Sequence, residues 1–120
     1  MSDYQLGTIE ARFADLIWEK EPLTSAELVK RAEALLHWKK STTYTVLKRL
    51  CEKGIFRNEN GTISSLISRQ DFYALQSERF VEERFQGSLP AFLAAFTSRK
   101  RLSPEEVSTL RRMIEDYEGG

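Results

Sequence analysis

Residues 38–54, Trp-Lys-Lys-Ser-Thr-Thr-Tyr-Thr-Val-Leu-Lys-Arg-Leu-Cys-Glu-Lys-Gly, constrain this chain more than any other stretch. At about 100° per residue, Thr43, Val46, Leu47 and Leu50 fall on one face of a helix. Ser41, Tyr44, Thr45, Lys48 and Glu52 fall on the other, with Thr42 and Arg49 on its flank. The first face is made to be buried. The second offers hydroxyls that reach base edges, followed by cations that hold phosphates. Gly54 ends the helix, because a residue just past a helix end commonly needs a left-handed backbone.

A solvated surface helix has the same pattern, so the setting decides what the helix is for. Two short helical segments precede it and a strand, turn and strand follow, which is the order of a winged helix-turn-helix. Charge agrees. Between residues 35 and 58 lie Lys39, Lys40, Lys48, Arg49, Lys53 and Arg57 against Glu52 alone, in a chain whose overall charge is zero. A local basic patch on a neutral protein suits a selective contact with double-stranded DNA better than general binding to polyanions.

Punctuation elsewhere is local and readable. Ile9, Phe13, Leu16 and Ile17 follow Thr8, an expected N-cap, and Pro22 prevents much continuation. Thr24-Ser25-Ala26-Glu27 is a capping box with Leu23 and Leu28 at the staple positions, predicting a second helix to about Leu35. His37 and the Lys39-Lys40 pair form a linker, and Trp38 there is read chiefly as the packing residue of the corner. Past Gly54, Ile55-Phe56 opens a strand, Asn58-Glu59-Asn60-Gly61 turns, and Thr62 to Ile67 returns as a wing.

Three further helices are predicted. Ser68 and Asp71 cap one that extends to the Gly87 stop, Ser88 with Pro90 opens the next, and Ser103-Pro104-Glu105-Glu106 starts a last helix reaching about Tyr117. Together they bear Phe72, Phe80, Phe85, Phe92, Phe96, Leu110, Ile114 and Tyr117, more large apolar side chains than short helices hide from water alone. A second copy of the chain is the expected cover, with folding back onto the amino-terminal part as the alternative. The fold class is therefore mainly α with a small β-hairpin: a winged helix-turn-helix domain over 1–68 and a helical dimerisation arm over 69–120.

Several residues and motifs carry a family resemblance. Glu10 and Trp18, then Trp38, Thr42, Thr45, Leu47, Arg49, Leu50, Lys53 and Gly54, then Ile67-Ser68-Arg69 and Gly87-Ser88, resemble the penicillinase and methicillin-resistance repressor (BlaI/MecI) family from about Leu6 to Ile114. The resemblance implies a homodimeric winged-helix repressor on a palindromic operator, with the recognition helix at 41–53. Matched by position, Thr42, Thr45 and Arg49 belong to its DNA-reading helix; the exposed face adds Ser41, Tyr44 and Lys48, and the linker adds Trp38, Lys39 and Lys40. Thr42, Tyr44 and Thr45 are expected at base edges, and Ser41, Lys48 and Arg49 at phosphates. The interface of the arm is expected to use Phe80, Phe85, Phe92, Phe96, Leu110, Ile114 and Tyr117.

The resemblance further implies relief of repression by proteolysis, with a membrane-bound sensor protease as partner. The family's Asn-Phe cleavage point falls on Ala95-Phe96, so its asparagine is absent. Ala11 replaces a usual tryptophan, and Ser64, Ser65 and Leu66 replace aromatic residues of the second wing strand. The carboxy terminus, Asp116-Tyr117-Glu118-Gly119-Gly120, lacks the cysteine cluster of the copper-responsive branch.

Other classes find little support. His37 and Cys51 are the only histidine and thiol, set most of a helix apart, and no phosphate loop, metal-ligand spacing or cofactor motif appears. No enzyme, cofactor or metal site is expected, and Cys51 is read as a packing group. A single cysteine, no membrane-spanning run and no signal-peptide pattern predict a cytoplasmic protein without membrane insertion. A winged-helix module that binds protein in place of DNA is the competing reading.

Overall fold

The computed structural model describes residues 5–119 and contains nine elements in the order expected, with one addition. They are α1 (Thr8–Lys20), β1 (Leu23–Thr24), α2 (Ser25–Leu36), α3 (Lys40–Glu52), β2 (Phe56–Glu59), β3 (Thr62–Ser65), α4 (Arg69–Phe85), α5 (Leu89–Arg99) and α6 (Pro104–Gly119). Two compact units divide within α4, one up to Ser77 and one from Glu78.

The amino-terminal unit is a winged helix-turn-helix. Phe13, Ile17, Leu28, Leu50, Ile55, Phe56, Ile63 and Phe72 are fully or almost fully buried in one core, and each such side chain stabilises the fold by roughly 1.5–3 kcal/mol relative to exposure. The predicted apolar face of α3 is buried as expected: Thr43, Val46, Leu47 and Leu50. Thr43 brings a hydroxyl into that core and satisfies it by donating to the Lys39 carbonyl at 3.2 Å.

The Thr24 box is closed in both directions: Glu27 N–H donates to Thr24 Oγ1 at 3.1 Å and Thr24 N–H donates to Glu27 Oε1 at 3.0 Å. The first helix departs from its expected cap. Gly7, not Thr8, is the N-cap, and Glu10 reaches back to accept the Gly7 N–H at 3.2 Å, which leaves Thr8 inside the helix. Helix α2 runs one residue past its expected end and closes on His37, whose backbone is left-handed at φ 59°.

The addition is β1. Leu23 pairs with Ile63 and Thr24 with Thr62, so the expected hairpin becomes an antiparallel three-stranded sheet in the order β1-β3-β2. These two residues also supply the staple and cap of α2, and the capping signal masks the strand. Asn60 and Gly61, both at positive φ, form the two-residue loop of the wing, the geometry that matches strand twist and favours Asn-Gly, whereas Asn58 and Glu59, expected in the turn, belong to β2 and pair with Ile63 and Thr62. The returning strand ends at Ser65 instead of Ile67; there the Ser65 N–H and hydroxyl donate to Glu21 Oε1 at 2.8 and 2.7 Å.

The sequence pattern grouped Phe72 with the apolar residues of the arm; the structure corrects this. Phe72 is a core residue of the amino-terminal unit, beside Trp18. In the carboxy-terminal unit Phe80, Phe85, Phe92 and Phe96 form a continuous ring cluster, with neighbouring centroids 5.6–6.1 Å apart. Ser88 caps α5 by accepting the Ala91 N–H, and the Ser103–Glu106 box starts α6.

Candidate nucleic-acid interface

Helix α3 positions the site. Its buried face fixes its rotation about its own axis, so Ser41, Thr42, Tyr44, Thr45, Lys48 and Arg49 are all exposed, as are Lys39 and Lys40 at its start. The order along the axis is short hydroxyls and a phenol in the first turns, then cations. Thr45, exposed, donates its hydroxyl to the Ser41 carbonyl at 2.9 Å. Lys40 Nζ lies 6.0 Å from the centroid of the Tyr44 ring, a loose cation–π contact that orders both groups.

Trp38 behaves differently from its neighbours. Its ring packs on Phe13 at a centroid distance of 5.0 Å and is half-buried against the core. It holds the corner before α3 and does not share the exposure of Lys39 and Lys40. The turn that follows brings Lys39 and Lys40 to a shallow cleft also lined by Glu33, Ala34 and His37.

Arg49 and Lys53 are not isolated cations. Arg49 Nη1 lies 3.3 Å from Glu10 Oε2, and Lys53 Nζ lies 3.9 Å from Glu10 Oε1 while donating to the Gln5 carbonyl at 2.6 Å. Burial works to raise the Glu10 pKa, but the Gly7 N–H and the two cations outweigh it and hold the carboxyl below its usual range. Lys48, by contrast, has no ion-pair partner among the described residues. Arg57 on the wing donates to Ser64 Oγ at 3.1 Å and pairs with Glu59 at 3.1 Å. The sequence singled out neither Glu10 as a partner of α3 nor Arg57 as a wing contact; only the charge count of the central segment hinted at Arg57.

No group of three or more His, Cys, Asp or Glu suited to a metal occurs among the described residues. Burial, and then Glu52, push the Cys51 thiol up, which disfavours the reactive thiolate. No described helix is long and apolar enough to cross a membrane.

One sequence match, to the penicillinase repressor family, covers residues 6–116, from before α1 to near the end of α6. The chain belongs to that family. It is a family of transcriptional repressors and not of enzymes. Among curated relatives, the chain is 24% identical to the methicillin resistance regulatory protein MecI of Staphylococcus aureus (strain Mu50 / ATCC 700699), over 92% of this chain and 94% of that protein. It is likewise 24% identical to the penicillinase repressor of Bacillus licheniformis, over 94% and 91% respectively. A MecI protein of Mammaliicoccus sciuri matches at 24% over 92% of this chain and 94% of its own length. These matches run through both compact units.

Proposed function

We propose that this chain represses transcription as a homodimer on a palindromic operator, the winged helix reading double-stranded DNA and the carboxy-terminal helices joining the two copies. The observation that carries the reading is the exposed face of α3, whose rotation is fixed by the burial of Thr43, Val46, Leu47 and Leu50 behind it. In that orientation Thr42, Tyr44 and Thr45 face base edges, while Ser41, Lys48, Arg49 and the preceding Lys39 and Lys40 face phosphates. Exposed Phe80, Phe96, Ile114 and Tyr117, with half-buried Phe85, Phe92 and Leu110, support the joining role of residues 78–119. Selection of duplexes from a random pool tests the reading. Recovery of a two-fold symmetric sequence is the expected result, and failure to enrich any sequence favours the protein-binding alternative.

A second reading concerns release. The Ala95–Phe96 bond lies on the exposed side of the short helix α5, close to its end at Arg99. Short helices beside loops open locally at low free-energy cost, which suits cutting by a membrane-bound sensor protease. Cleavage detaches α6 with Leu110, Ile114 and Tyr117, and the avidity of two joined half-site readers falls. The mass of the chain recovered from induced cells decides it. A fragment ending at Ala95 is expected; an intact 13.9 kDa chain during full derepression rejects cleavage.

A further inference from the structure

Glu10 occupies a position that the DNA-reading role leaves unexplained. It stands on α1, 39 residues before Arg49, yet its carboxylate lies at the end of the recognition helix. One oxygen accepts the Gly7 N–H at 3.2 Å and lies 3.9 Å from Lys53 Nζ; the other meets Arg49 Nη1 at 3.3 Å. The carboxylate is anchored, since its side chain is 19% exposed, whereas that of Arg49 is 54% exposed. A guanidinium has five N–H donors in a planar fork. Nη1 therefore rests on Glu10 while the rest of the fork belongs to a side chain that is half exposed. Lys53 is drawn the other way, 18% exposed and bonded to the Gln5 carbonyl.

We infer that Glu10 is a positioning residue for DNA recognition: it orients Arg49 toward one operator phosphate and withholds Lys53 from the duplex, thereby favouring the operator over random DNA. This rests on the DNA-binding reading given above. The physical basis is the difference between the two modes of binding. Random duplex is bound through the number of cations available to phosphates, whatever their geometry. An operator complex gains from cations held in one register with the base-reading side chains. A fixed carboxylate beside two of the cations subtracts from the first and sharpens the second. As a stability device the same contact counts for little, because partly exposed ion pairs are screened by water and salt.

Glu10→Gln is the direct test, since glutamine keeps an oxygen for the Gly7 N–H but loses the charge and the acceptor that faces Arg49. The full-length chain and its variant are titrated with the selected palindrome and with a random duplex across a salt series. Expected for Glu10→Gln are tighter random-duplex binding, a salt slope steeper by about one unit, and an operator-to-random ratio lower by about tenfold. The loss of operator affinity is expected to vanish when Arg49→Ala is already present, as it does for a residue acting through Arg49, whereas the gain in random-duplex binding through Lys53 is expected to remain. Arg49→Lys keeps the charge without the fork, so it should keep random binding and lose operator binding. An unchanged ratio and slope in Glu10→Gln overturns the inference, as does a loss of operator affinity that persists in the Arg49→Ala background, or an Arg49→Lys chain that keeps its operator preference. A wild-type chain that binds no duplex overturns the DNA reading itself, and the inference with it. A wild-type chain that selects a palindrome while Glu10→Gln behaves identically overturns the inference alone.

Discussion

Trp18 and Phe72 fasten the first turns of α4 to α1: their ring centroids lie 5.3 Å apart, and Trp18 Nε1–H donates to the Ile67 carbonyl at 3.1 Å. Arg69 adds an ion pair to Asp15 at 3.2 Å. The amino-terminal unit consequently needs residues beyond the wing to complete its core. Phe72→Ala is expected to destabilise it by about 3–5 kcal/mol, as removal of a fully buried ring does. Leu75→Ala, at an exposed position of the same helix, should stay within about 0.5 kcal/mol of the parent. A fragment ending at Ser77 should unfold at a higher urea concentration than one ending at Ser68. Equal midpoints for the two fragments would show that Phe72 is dispensable.

This same contact marks the limit of what the sequence displays. Signals that act within one helical turn are legible: the Thr24–Glu27 box, the face of α3 made by Thr43, Val46, Leu47 and Leu50, and the Asn60-Gly61 loop. Each depends on neighbours three or four residues away, so its chemistry is written locally. The destination of Phe72 is not local, because an apolar helical residue fits either the arm or the core equally well by periodicity. Strand β1 is hidden for another reason, since Leu23 and Thr24 serve a helix start and a sheet edge at once. The partnership of Glu10 with Arg49 is a tertiary match between two charges on separate helices, and neither helix alone announces it.

Readout along α3 should separate into two kinds of defect. Thr45→Ala or Tyr44→Ala is expected to relax base preference by about 1–3 kcal/mol at particular operator positions, because these side chains lie on the exposed face near the start of the helix. Lys48→Ala should weaken every sequence alike and lower the salt slope by about one unit, as the loss of one phosphate contact does. Binding measured against a panel of single-substitution operators at several salt concentrations distinguishes them. A change of base preference in Lys48→Ala with an unaltered salt slope would reverse the assigned roles.

Acid should loosen the helix starts before it affects the core. The Thr24 N–H and hydroxyl hold Glu27 below its usual value of 4.5, and the Ser103 N–H and hydroxyl do the same for Glu106. Glu10 is also lowered, its burial being outweighed by the Gly7 N–H, Arg49 and Lys53. A depressed carboxyl pKa in the folded state gives stability that is present above the unfolded value and lost as pH falls through the folded one. Melting temperature should therefore stay level from pH 7 to about pH 5 and decline below it. Glu27→Gln and Glu106→Gln together should flatten that decline. A variant whose melting curve falls as steeply as the parent's would place the acid sensitivity elsewhere.

The outer face of α6 offers the clearest test of assembly. Val107, Leu110, Ile114 and Tyr117 recur at helical spacing, and Ile114 and Tyr117 are 59% and 87% exposed in the single chain. An aspartate at position 114 thus meets water in a monomer and leaves the fold intact, whereas inside an apolar interface it has to be desolvated without a partner. Ile114→Asp is expected to dissociate the proposed dimer while keeping the helical circular dichroism of the parent. Operator affinity should fall by about a hundredfold, since the second half-site then binds as an independent event. Ser108→Asp places the same charge on the opposite side of α6 and should change neither property. Sedimentation at micromolar concentration separates the outcomes: a parent chain that sediments as a monomer, or an Ile114→Asp chain that remains dimeric, means that this stripe does not join two copies.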